Sequence, residues 1–100
     1  MMMTVLACHE GSSWVVQAIE QDVASQGESL LGALVDLGRM FDVRDQLIAD
    51  SAEPIAANPR APVEYERAIA EGDYVVVLPL GAVRVAQIYI GISPYERRTP

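Results

Sequence analysis

Lysine is missing altogether from this 100-residue chain, and no arginine occurs before Arg39. All seven basic residues are Arg, set against fourteen acidic ones for a net charge of −7. A nucleic-acid binder needs cations to displace the counterions around phosphate. The composition therefore argues against direct DNA or RNA binding. Histidine, cysteine, tryptophan and phenylalanine each occur once. The single Cys8 excludes an internal disulfide and fits a reducing compartment. No apolar run is long enough to cross a bilayer, and the start lacks the cationic region of a signal peptide. A cytoplasmic protein without a membrane partner is expected.

Catalytic vocabulary is equally scarce. No serine sits in a nucleophile elbow, and no glycine-rich loop follows a strand in phosphate-cradling form. His9 is flanked by Cys8 and Glu10, but strand neighbours point to opposite faces, so Cys8 and His9 are poorly placed to share a metal. Glu20, Asp22 and Asp36 belong to segments that give them no reason to converge on an ion. The chain reads as a non-enzyme with no catalytic residue, no metal and no cofactor.

Against these absences stand about half apolar residues, enough for a core, in a domain small enough to gain from association. "TVLACHE" (4–10) and "WVVQAIEQ" (14–21) are β-like runs joined by the turn residues "GSS", which reads as a hairpin. "VASQ" (23–26) adds a short third antiparallel strand, leaving one sheet face to be covered. The cover follows at once. Ser29 is a plausible N-cap, with Glu28 beside the positive end of a helix dipole. Leu30, Ala33, Leu34, Leu37, Met40, Phe41, Leu47 and Ile48 then form one apolar stripe at helical spacing. Gly32 and Gly38 suggest a helix lying tight on the sheet. Leu31 and Val35 fall off the stripe, as a widened core face or a contact patch; the core reading is favoured.

Residues 50–62, with three prolines, form a connector. "PVEYERAIAEG" (62–72) predicts a short helix with Pro62 near its first turn and Gly72 as its stop. Residues 73–92 are β-rich, broken by "PLG" at 79–81 into strands 74–78 and 83–90. A hairpin and a single interrupted strand both remain open. One α+β domain over 1–92 is expected, with a frayed tail over 93–100: an antiparallel sheet of three N-terminal strands plus C-terminal strands, packed against one long helix.

The run from residue 14 to 41 resembles the HicB-like antitoxin family. "VVQAIEQD" (15–22) is similar to its strand, "VASQG" (23–27) to its short second piece, and "ESLLGALVDLGRMF" (28–41) to its helix; "TVLACHEGS" fits the family's first strand. Leu31 and Gly32 stand where two Glu commonly begin that helix. Residues 63–92 look mainly β and lack a basic recognition helix, so the likeness is to a short form without a DNA-binding domain. The resemblance implies a partial ribonuclease-H-like fold without catalytic carboxylates. It implies as partner a small basic HicA-like toxin that cleaves mRNA and is neutralised when its active surface is covered. The residues it implies for that contact are Glu20, Asp22, Gln26 and Glu28. It further implies a homo-oligomer, a dimer or higher, for which an exposed edge in the C-terminal β segment would be a natural pairing surface. Two competing readings stand beside it. One is an orphan homo-oligomer that keeps the fold without a toxin; the other is an enzyme descended from a nuclease-like fold.

Overall fold

The computed structural model describes residues 2–50 and 59–94. Its elements in chain order are β1 (Met2–Glu10), β2 (Ser13–Ala18), β3 (Val23–Gly27), α1 (Leu30–Asp50), α2 (Glu64–Glu71), β4 (Asp73–Leu80) and β5 (Arg84–Ile90). The α+β class, the N-terminal hairpin and third strand, and the C-terminal hairpin are all present. The connector expected over 50–62 and the tail expected from 93 lie largely outside the described residues. Ser93, inside that tail, is buried.

The five strands form one sheet in the order β3-β2-β1-β5-β4. It is mixed, which corrects the expectation of an antiparallel sheet. β1 pairs antiparallel with β2 (Val5 opposite Ala18) but parallel with β5 (Val5 opposite Ile88). A parallel pair needs a long crossover, and here α1, α2 and β4 all intervene before β5 reaches the free side of β1. That pairing also starts β1 earlier than expected, because Met2 and Met3 gain partners in Val85 and Ala86.

Alternation along β1 fills both faces. Met3, Val5 and Ala7 join Val16, Ala18, Ala86 and Ile88 beneath Ala33, Leu34, Leu37 and Phe41 of α1. Leu6 and Cys8 point the other way and, with Ile19, pack against Ala61, Tyr65 and Ala68 from α2 and its approach. A single covered face was expected; two exist, so the short helix has a packing role of its own.

The stripe on α1 is only half used. Ala33, Leu34, Leu37, Gly38 and Phe41 are buried, whereas Met40, Leu47 and Ile48 are 41%, 59% and 44% exposed. Burial along the helix ends at Phe41, and residues 46–50 are all exposed. Leu31 and Val35 are 66% and 54% exposed, so the core reading of that pair is overturned.

Local signals mark the ends well. The Gly32 N–H donates to Ser29 Oγ at 3.0 Å, as an N-cap requires. The Tyr65 N–H donates to the Pro62 carbonyl, and Gly72 ends α2 by donating to Ile69. Strand β2 stops at Ala18 rather than running to 21, because the chain turns through Asp22 at φ 50°, a left-handed conformation that Asp tolerates. Pro79 does not break β4. An edge strand accepts a residue without an N–H, and the turn comes at Gly81 with φ 71°. The close approach expected of Gly38 is real, but it is to this turn. A Cβ on Gly38 would sit 2.6 Å from the Gly81 nitrogen.

Candidate functional site

Two strands have one side unpaired, β3 and β4, and they border the sheet at opposite ends. The four residues implicated in partner binding all gather along β3, but not as one patch. Glu20 and Asp22 lie at the turn that enters the strand. Gln26 and Glu28 lie where it leaves for α1. Six residues of extended chain put Asp22 and Glu28 about 20 Å apart.

The two ends also differ in how their side chains are employed. Glu20 Oε1 accepts the Thr4 N–H at 2.9 Å, tying the turn to β1. Asp22 Oδ1 accepts from Gln17 Nε2 at 2.9 Å, and the same amide donates to the Ala18 carbonyl. Gln17 is a buried polar residue, so these bonds satisfy a group that would otherwise cost free energy. Glu20 and Asp22 thus have structural duties that strand periodicity could not reveal. Gln26 and Glu28 are exposed. On the inner side of β3, the buried Ser25 donates to Asp36 Oδ2 at 2.6 Å and clamps the strand to the helix above it. Glu20, Asp22, Glu28 and Asp36 leave this border acidic, with no arginine or lysine before Arg39 to offset it.

The β4 border is built differently. Tyr74, Val75, Val76 and Val77 are 54%, 49%, 37% and 38% exposed. A local irregularity between Tyr74 and Val76 interrupts the pairing with β5, setting Val75 out of register. Above this border the α1 flank forms an open groove of about 490 Å³, lined by Leu31, Leu34, Val35, Leu78 and Pro79 together with Arg39 and Asp42.

Where α1 passes the β4–β5 turn, three contacts fasten it. The Ala82 N–H donates to Asp42 Oδ1 at 2.9 Å. Arg84 grips Asp45 with both terminal nitrogens, Nη2 lying 2.8 Å from Oδ1. The Arg84 guanidinium also lies 4.7 Å from the centre of the Phe41 ring. The hydrogen bond from Arg84 holds the Asp45 carboxyl below its ordinary range, with the guanidinium charge adding to the effect. In return the bond to Asp45 pushes Arg84 up. Sequence reading missed this cluster, since nothing local links residue 45 to residue 84.

His9 is exposed at the end of β1, its ring 4.8 Å from that of Trp14, while Cys8 is buried on the other face. Among the described residues no three His, Cys, Asp or Glu side chains are grouped to hold a metal ion. Nor is any described helix long and apolar enough to cross a membrane. No protein-family model, curated protein or solved structure matches this chain.

Proposed function

We propose that this chain is an antitoxin-like binding protein that neutralises a small, basic, HicA-like mRNA-cleaving toxin by covering its active surface. The observation that carries the reading is the β3 border: an unpaired strand edge with acidic residues at both ends and no basic residue before Arg39. A basic partner is drawn to such a surface, and the attraction speeds encounter more than it deepens affinity. The likeness of residues 4–41 to the HicB-like family adds support, including the further reading of the sheet and α1 as a partial ribonuclease-H-like fold. Exposed Gln26 and Glu28 are the better contact residues, because Glu20 and Asp22 are already engaged within the fold. The protein works by binding, without catalysis or cofactor.

The test is to recover the tagged chain from its own host with whatever it holds, then separate the two and assay both. The expected result is a small basic protein whose RNA cleavage is suppressed in the complex and returns on separation. A companion that cleaves no RNA, or recovery of this chain alone, would overturn the reading. Recovery alone, as a defined multiple of the chain mass, would favour the alternative of an orphan homo-oligomer. That alternative draws on the apolar character of the β4 border.

A further inference from the structure

We propose that the outward groove on the second half of α1 docks an acidic amphipathic helix of another protein. The apolar row of that helix lies on Met40, Val43 and Leu47, and its carboxylates meet Arg39 and Arg44. This surface is separate from the acidic β3 border, so the toxin reading and this one can fail independently.

The apolar floor comes first. Met40, Val43 and Leu47 recur at helical spacing, are each between 41% and 59% exposed, and belong to neither buried cluster. With Arg39 and Arg44 they line a groove of about 380 Å³. The row is roughly 10 Å long at the rise of an α-helix. A second amphipathic helix presents apolar side chains at the same spacing, which is how a helix is read by a groove.

Charge selects the sign of the partner. All four Asp of α1 already accept a hydrogen bond within the chain: Asp36 from Ser25, Asp42 from the Ala82 N–H, Asp45 from Arg84 and Asp50 from Gln46. Among the described residues the other arginines are ion-paired as well, Arg60 with Glu66, Arg67 with Glu71 and Arg84 with Asp45. Arg39 and Arg44 have no such pair to another described residue. Five positions apart, they stand roughly 140° from each other around the helix, one on each side of the apolar row, and about 7.5 Å apart along it. Guanidinium groups placed this way suit carboxylates on the two flanks of a docked helix, because their planar fork pairs with a carboxylate through two hydrogen bonds.

The same features disfavour other occupants. A basic helix would set cation against cation at both flanks. An anionic bilayer attracts proteins with clustered cations, whereas this chain carries −7 and offers three apolar residues in the groove. The contact area is small, so the complex is a weak and transient one.

The experiment measures binding of the full chain to two dye-labelled synthetic helical peptides by fluorescence anisotropy, up to high micromolar concentration. Both peptides carry leucines at positions i, i+3 and i+7; one has Glu on the flanks and the other Lys. The chains compared are the native sequence, Arg39→Glu, Arg39→Glu with Arg44→Glu, Leu47→Asp and Val63→Asp, each checked for an intact melting transition. The native chain is expected to hold the Glu peptide at least about tenfold more tightly than the Lys peptide. The double reversal should invert that preference, and Leu47→Asp should weaken the Glu peptide to a similar degree. Val63→Asp, at the start of α2, should change nothing. Should the double reversal fail to fold, Arg39→Glu, on an exposed side chain that holds no ion pair among the described residues, decides alone. Absence of binding, equal affinity for the two peptides, or binding that survives Arg39→Glu and Leu47→Asp would overturn the proposal. So would loss of binding in Val63→Asp, or sedimentation with phosphatidylserine vesicles that Arg39→Glu and Leu47→Asp abolish.

Discussion

The two borders of the sheet solve the same problem in opposite ways. An unpaired strand exposes a row of backbone donors and acceptors, and natural sheets protect it by shortness, charge or cover. β3 uses the first two, with five residues and acidic groups at each end, and the Ser25–Asp36 bond ties its inner face to α1. β4 has eight residues, no charge after Asp73 and half-exposed valines. Its only blunting devices are Pro79 and the irregularity at Val75. One molecule thus carries an acidic edge and an apolar one. The difference shows that strand polarity alone does not protect an edge; what flanks the strand matters as much.

That comparison can be broken at several depths. The largest effect should come from Leu37→Ala, which removes a wholly buried side chain from the core beneath both borders. A loss of about 2 to 5 kcal/mol is expected, read from denaturant unfolding. A neutral result would mean that α1 does not anchor the sheet. Next comes Gly38→Ala. Alanine gains about 1 kcal/mol in helix propensity. Its Cβ, however, would lie 2.6 Å from the Gly81 backbone nitrogen, and overpacking of that kind costs about 1 to 3 kcal/mol. The backbone contact cannot yield easily, so a net loss is expected, confined to the β4 side of the molecule.

A smaller effect separates the sides by pH. Asp45 has a folded-state pKa below its unfolded value. Its pairing with Arg84 therefore contributes stability above the unfolded value of about 3.9, and that contribution fades as pH falls through the lower folded value. Both groups remain partly exposed, so the contribution is modest. Melting curves of the native chain and Asp45→Asn should differ near neutrality and converge in strong acid. Parallel curves throughout would remove the pair from the account. The smallest change in stability belongs to Glu28→Lys, within about 0.5 kcal/mol as for other surface substitutions. Its consequence should appear in encounter with a basic partner, as a slower and less salt-dependent association rate. Glu20→Lys, by contrast, should also lower the melting temperature, since it removes the acceptor of the Thr4 N–H.

The Glu20 and Glu28 pair shows where sequence reading stopped. Both are acidic, both flank β3, and composition treats them alike. Only the structure distinguishes the one that closes a turn from the one left exposed. "DYVVVLPL" is a similar case. A continuous apolar run is consistent with a buried strand, yet most of it lies exposed at the border, where β4 has a paired strand on one side only. The stripe on α1 was legible as a stripe, but its burial ends at Phe41.

Local chemistry sufficed for what is local. Alternation, the Ser29 cap, the helical period and the glycines at turns marked every strand and helix of the described chain, within a few residues. Tertiary structure alone decided which side of β1 would receive β5, that α2 would close the second face, and that Arg84 would reach across to Asp45. Those outcomes depend on contacts between residues some forty to eighty positions apart, and a residue's spacing from its neighbours carries no record of which distant surface it will meet.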